Sequence, residues 1–138
     1  MIDEAVVRFL PDPSQSDAPM ALAVFWPEPQ YRAVIARWPG LAALLGSTWD
    51  ECRARTQGYC LLADGHGLRI VQVAGDAAGL GEHLAAAGVA RPSERDLAAY
   101  PDLRTVAPSA MTAWPPERND RCWCGSGVKY KRCCRSRA

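Results

Sequence analysis

Residues 68–73 read LRIVQV, and this segment is the clearest strand of the sequence. Its apolar and polar side chains alternate imperfectly, but it is rich in β-branched residues, which favour strands. The segment DGHG at 64–67 precedes it and is predicted to be a turn because of its glycines. A second strand is predicted at 21–26, ALAVFW, because a continuous apolar run between prolines is typical of a strand buried on both faces. The apolar segment at 5–10 is predicted as a further strand.

Helices are predicted between and after these strands. Residues 29–38 place apolar side chains at helical spacing, with a proline in the first turn and Pro39-Gly40 at the end. Further helices are predicted at 48–62, with Ser47 or Thr48 as the cap, at 77–87 and at 93–100. This order of elements predicts an α+β fold, or a small α/β layer, in which helices cover a short sheet.

The C-terminal residues 117–138 differ in composition from the rest of the chain. They contain both lysines, four of the six cysteines, and seven basic residues against two acidic ones, a balance of +5. Residues 1–116 carry a balance of −4 within a chain whose net charge is +1. We therefore predict two units, a small α/β domain at 1–116 that ends in the proline-rich linker around Pro115-Pro116, and a separate tail at 117–138.

Length and composition exclude several classes of protein. A chain of 138 residues with 49% apolar residues suits one small domain with an appendage and leaves no room for a large motor. The acidic start at Asp3 and Glu4 is unlike a signal peptide, and the longest apolar run, at 18–26, is too short to span a bilayer. We expect a cytoplasmic protein without membrane insertion, in which clustered cysteines serve as metal ligands or redox groups rather than disulfides.

The chemistry of the tail lies in its cysteines. One residue separates Cys122 from Cys124, eight residues follow, and then Cys133 and Cys134 stand side by side. Two close pairs joined by a glycine-containing loop can bring four thiolates around one zinc ion. A disulfide between the adjacent cysteines would be strained, which favours metal over a redox cluster. A unit of this size has no core of its own, so we predict a zinc-folded C-terminal knuckle with one structural ion.

At these residues the sequence CWCGSGVKYKRCC resembles the SEC-C motif, the zinc-binding tail of the SecA export ATPase and of several small bacterial proteins. The resemblance implies that Cys122, Cys124, Cys133 and Cys134 are the zinc ligands, and that Gly125, Ser126, Gly127, Lys129, Tyr130 and Lys131 form the loop between them. Many members have histidine as the last ligand, where this chain has Cys134. No GxxxxGK[ST] phosphate loop is present, so the resemblance to the ATPase is confined to the tail.

The resemblance also implies a role in protein interaction, because tails of this kind dock on the export chaperone SecB or on ribosomes. With zinc bound, the tail keeps a charge of about +3, which suits a partner with an acidic surface. We predict that Trp123 contacts the partner, since it lies between two ligands and must point away from the metal. The basic residues expected at the same contact are Lys129, Lys131, Arg132 and Arg135.

Two other interpretations stay open at this point. The basic residues of the tail can bind RNA phosphates, which would make the tail an RNA-binding zinc knuckle. Alternatively, residues 1–116 are an uncharacterised enzyme that the tail localises, with Cys52 or Cys60 as nucleophile and His66 or His83 as base. Buried core thiols are the simpler interpretation of Cys52 and Cys60. We therefore assign no catalytic residue and predict a non-enzymatic zinc-binding adaptor.

Overall fold

A four-stranded mixed sheet forms the centre of the fold. The computed structural model describes residues 9–10, 19–101 and 106–136. The strands are β1 (Phe9–Leu10), β2 (Met20–Phe25), β3 (Arg69–Ala74) and β4 (Met111–Trp114), in the spatial order β1-β2-β3-β4. β2 and β3 are parallel and pair from Met20↔Arg69 to Phe25↔Ala74, whereas β1 and β4 are antiparallel to their neighbours. The sheet therefore confirms the two strands predicted at 21–26 and 68–73.

Helices connect the two central strands, as parallel pairing requires. The crossover consists of α1 (Glu28–Arg37), a 3₁₀ turn at Pro39–Leu41, α2 (Ala42–Leu45) and α3 (Trp49–Gly65). After β3 come α4 (Ala77–Ala86) and the short α5 (Glu94–Ala98). The predicted helices and the α+β class are confirmed, and the segment at 41–45, which the sequence left unassigned, contributes α2.

Local capping explains where these helices begin. The Thr48 hydroxyl accepts a hydrogen bond from the Glu51 amide at 3.1 Å, so Thr48 rather than Ser47 caps α3. The Glu51 carboxylate in turn accepts from the Ser47 amide at 2.7 Å. These contacts satisfy amide groups that have no partner within the helix. A capping box formed by Ser93 and Asp96 is present at the start of α5.

Two apolar clusters hold the sheet and helices together. Cys60 and Ala63 of α3 pack on Ala21, Ala23 and Ile70 of the central strands. The second cluster joins α1, α3, α4 and the end of α5 through Trp26, Tyr31, Val34, Leu41, Cys52, Leu80, Leu84 and Tyr100. Both thiols outside the tail lie in these clusters, which confirms that they are core residues, and burial raises the pKa of Cys52 to about 11 and that of Cys60 to about 12.

The strand β4 is absent from the sequence prediction, which treated the residues before Pro115-Pro116 as a linker. Met111–Trp114 pairs antiparallel with β3, with Trp114 opposite Ile70. The strand is short, and Thr112 and Ala113 are exposed, so no apolar alternation marks it. Of the strand predicted at 5–10, the structure places Phe9–Leu10 in β1, and the rest lies outside the described residues.

Candidate metal centre

Residues 117–136, called the knuckle below, reverse direction around the cysteines. The two limbs meet at an isolated bridge between Arg121 and Lys129, and the Cys122 amide donates to the Val128 carbonyl at 2.8 Å. The turn between the limbs uses Gly125 and Gly127 at φ of +84° and +81°. Because side chains disfavour that region of backbone space, the two glycines make the reversal possible.

This reversal gathers the four cysteines predicted as ligands. The sulfurs of Cys122, Cys124, Cys133 and Cys134 all lie within 4.8 Å of one another, and all four residues are buried. The Cys124 and Cys133 sulfurs are 3.6 Å apart. Four thiolates at the usual Zn–S distance stand about 3.8 Å apart in a tetrahedron, so the observed spacing fits a metal ion of that size. The chemistry of the donors also fits, because four sulfurs suit a soft or borderline metal.

Hydrogen bonds within the cluster shift the pKa values of its thiols in opposite directions. Contacts with Cys122 and Cys134 hold the pKa of Cys124 far below the usual thiol range, and hydrogen bonds with Cys122 and Cys124 raise the pKa of Cys134. The Ser126 hydroxyl lies 3.3 Å from the Cys133 sulfur and accepts a hydrogen bond from the Val128 amide. Cys124 therefore releases its proton more readily than Cys134.

Arg53 of α3 lies against two cysteines of the cluster. Its Nη1 donates to the Cys124 sulfur at 3.4 Å and to the Cys133 sulfur at 3.5 Å. Its Nη2 forms an ion pair with Asp50, and the guanidinium stacks over the Trp49 ring at 4.1 Å. Burial alone would lower the pKa of Arg53, but the hydrogen bonds to Cys124 and Asp50 raise it. Arg53 is thus a buried, fully charged neighbour of two sulfurs.

Gln57, one helical turn after Arg53, joins three aromatic side chains of the C-terminal part. Its carbonyl oxygen accepts the indole N–H groups of Trp123 at 3.1 Å and Trp114 at 3.4 Å. Its amide donates to the Tyr130 hydroxyl at 2.7 Å. Gln57 is fully buried, so these bonds replace water that the amide would otherwise bind. One polar side chain of α3 therefore holds the end of β4 and both limbs of the knuckle.

Sequence reasoning missed both Arg53 and Gln57. They lie about seventy residues before the cysteines, and in the sequence they are ordinary polar positions of a helix. The one local signal is the Asp50–Arg53 pair at helical spacing, which is common on solvent-exposed helices. Arg53 and Gln57 differ from ordinary polar positions of a helix in being buried, which their spacing in the sequence does not reveal.

The residues predicted to contact a partner differ in their exposure. Lys129, Arg132 and Arg135 are exposed, and Lys131 is half-buried. Trp123 is also half-buried, and its ring packs edge-on against Phe25 with the ring centres 5.6 Å apart. Its indole is therefore engaged within this chain, and a partner contact at Trp123 stays a prediction.

The enzyme interpretation can be compared with the geometry around the core thiols. Cys52 lines a mostly apolar cleft of about 320 Å³ between β2, α2, α3 and α5. Neither His66 nor His83 is among the residues that line it. His66 is exposed at the end of α3, and the His83 ring lies 5.8 Å from the ring of Tyr100. The cleft beside Cys52 thus offers this thiol neither histidine as a base.

The cysteine cluster lies in a part of the chain that matches a known family model. The family model of the SEC-C motif matches residues 118–136, which confirms the resemblance noted in the sequence over that part of the chain. Searches of curated proteins and of solved structures give no match. The chain thus carries a SEC-C motif with a four-cysteine cluster that can hold a metal ion. Within the described ranges, no helix has the length and apolar character needed to cross a membrane.

Proposed function

We propose that this protein is a non-enzymatic zinc-binding adaptor whose knuckle docks on the acidic surface of a protein partner. The observation that carries the proposal is the closed set of four buried sulfurs beside exposed basic side chains. Four thiolate ligands leave no coordination position for water or substrate, so the ion has a structural role. The partner that the SEC-C motif suggests is an export chaperone of the SecB kind or the ribosome.

The exposure of the basic residues on the knuckle supports this proposal. Arg118, Arg121, Lys129, Arg132 and Arg135 are all exposed on the knuckle. Held on a metal-folded scaffold, they keep fixed positions, which favours steering of an acidic surface. Exposed Val128, flanked by Lys129, adds a small apolar contact.

The first experiment determines the metal. Native mass spectrometry of protein purified under reducing conditions should give one zinc ion per chain, and the Cys133→Ser, Cys134→Ser double variant should give none. Protein that carries no metal, or a metal other than zinc, would contradict the proposal at its first step.

The second experiment tests docking with defined probes. A purified SecB-type chaperone and purified ribosomes are each titrated with the full chain. The variant Lys129→Glu, Arg132→Glu, Arg135→Glu should keep zinc and lose binding, whereas the control Arg91→Glu, Arg95→Glu, on exposed residues of the α/β domain, should bind normally. Equal binding by both variants would refute the basic surface as the docking site.

The exposed basic residues also favour a second candidate, an RNA-binding knuckle. Phosphate contacts make binding fall steeply with salt, by roughly one logarithmic unit per contact for each tenfold rise in salt concentration. If isolated ribosomal RNA binds as tightly as intact ribosomes and with that salt dependence, RNA rather than protein is the partner.

A further inference from the structure

Arg53 lies outside the SEC-C match and donates hydrogen bonds to two sulfurs of the cysteine cluster. It lies 71 residues before Cys124 and belongs to the helix that packs on the sheet. The two sulfurs that it contacts, those of Cys124 and Cys133, come from opposite limbs of the knuckle. Its guanidinium therefore connects the two ligand pairs.

The charge of the centre explains why a buried arginine is stable there. Zinc with four thiolates carries a charge of −2, and the side chain of Arg53 is only 7% exposed. A buried charge is tolerated when it is paired and hydrogen-bonded. Arg53 meets that requirement through Nη1 with the two sulfurs, through Nη2 with Asp50, and by stacking on the face of Trp49. Its buried Nε has no hydrogen-bond partner among the described residues.

Cys124 and Cys133 are also the two cysteines of the cluster that line a cleft. A cleft of about 590 Å³ separates the knuckle from the starts of α1 and α3, and Cys124, Cys133 and Arg53 line it, whereas Cys122 and Cys134 do not. A chelator or an electrophile that enters this cleft meets the sulfurs where Arg53 lies against them. Hydrogen bonds to metal-bound sulfur lower its electron density and hence its reactivity.

We infer that Arg53 is a positioning residue of the metal centre, which retains the ion and protects the Cys124 and Cys133 sulfurs on the side that faces the cleft. The inference rests on metal binding by the four cysteines and extends the centre beyond the matched motif into α3. It concerns this chain's own helix and does not depend on the identity of the partner.

The test compares Arg53→Met with a matched control, Arg55→Met. Arg55 lies on the same helix but donates to the carbonyls of Ala43 and Leu44, away from the knuckle. Each variant is loaded with zinc, and the transfer of zinc to a small chromogenic chelator is followed with time. We expect Arg53→Met to lose zinc about 10- to 100-fold more readily than the wild type. Arg55→Met should match the wild type.

A spectroscopic measurement separates this role from a general loss of stability. With cobalt in place of zinc, the sulfur-to-cobalt charge-transfer band reports the electron density on the sulfurs. Loss of the Arg53 hydrogen bonds should shift the band of Arg53→Met to longer wavelength, and Arg55→Met should leave it unchanged. Arg53→Lys, which keeps the charge but not the planar donor fork, should retain zinc better than Arg53→Met and still shift the band.

The outcomes distinguish this inference from the proposed function. A wild-type protein that takes up no metal would overturn both. A wild-type protein that binds metal, with an Arg53→Met variant that keeps the wild-type transfer rate and cobalt band, would overturn only the role of Arg53. If Arg53→Met fails to fold, Arg53→Lys decides the matter, and a wild-type rate and band in that variant would refute the inference.

Discussion

Gln57 accepts the indole N–H of Trp123 at 3.1 Å, across 66 positions of the chain. This bond turns the aromatic residue that lies between two metal ligands towards its own α/β domain. The packing of the same ring on Phe25 has the same effect. The knuckle is therefore docked on the rest of the protein, and the surface it offers outward is mainly basic.

Replacement of Gln57 by leucine should destabilise the protein strongly. The change would leave the indole N–H groups of Trp114 and Trp123 and the Tyr130 hydroxyl without their partner in a buried place. Each unpaired buried group costs about 1 to 3 kcal/mol, so we expect a loss on the order of 3 kcal/mol in the free energy of unfolding. Urea denaturation followed by tryptophan fluorescence measures it.

A control variant on the same helix gives the change in the free energy of unfolding expected for an exposed position. Leu61 is 44% exposed, and Leu61→Ala should change the free energy of unfolding by less than about 0.5 kcal/mol. A Gln57→Leu variant as stable as Leu61→Ala would show that the three bonds contribute nothing net.

Removal of the metal should unfold the knuckle first. The Cys122 amide, bonded to the Val128 carbonyl, and the Tyr130 amide, bonded to the Asp120 carbonyl, should lose protection from hydrogen exchange after chelation. Amides of β2 and β3, which pair along the middle of the sheet, should stay protected. Equal loss of protection in knuckle and sheet would mean that the metal holds the whole fold together.

Two glycine substitutions should have opposite effects on stability. A Cβ atom at Gly75 would lie 2.7 Å from ring atoms of Trp26, which stacks on Tyr100, so Gly75→Ala should be destabilising by about 1 to 3 kcal/mol. At Gly58, inside α3, a Cβ atom would meet nothing within 4 Å. Gly58→Ala should therefore stabilise the helix by about 0.5 to 1 kcal/mol. Thermal unfolding of the two variants tests both signs, and a stabilising Gly75→Ala would contradict the packing described here.

Alkaline pH should weaken the fold through its buried thiols. Burial raises the pKa of Cys60 from 9.0 to about 12. Above pH 9 the unfolded chain releases this proton while the folded chain keeps it, so the free energy of unfolding falls as the pH rises from about 9 towards 12. We expect the loss to reach about 1 kcal/mol from this thiol at pH 10. Cys60→Ala should show a correspondingly shallower decline between pH 8 and 10, and an equal decline would contradict the assignment.

Local signals explain why much of this structure could be predicted from the sequence. The strand β2 is a continuous apolar run and β3 is rich in β-branched residues. Thr48 and Ser93 are recognisable caps, and the four cysteines lie within thirteen residues of one another. Each of these features depends on residues close together in the chain. For the same reason, the glycines at 125 and 127 between the two cysteine pairs indicate the chain reversal.

Contacts between distant residues explain what could not be predicted. Strand β4 depends on pairing with β3, in which Trp114 lies opposite Ile70. The four residues of β4 have no strand pattern of their own. Arg53 is distinguished only when the fold brings two sulfurs to it, and Gln57 only when three aromatic residues surround it. Helix α3 was predicted correctly as an element, but the importance of its knuckle-facing side depends entirely on the tertiary arrangement.

The contribution of α3 to the centre limits how far the motif can be transplanted. A graft of residues 118–136 onto another protein would carry the four ligands but would leave behind the guanidinium at Arg53 and the amide at Gln57. Trp123 would then be exposed, and the sulfurs would face solvent directly. A faithful transfer needs the first three turns of α3 as well, so the smallest portable unit is a helix together with its knuckle rather than the cysteine segment by itself.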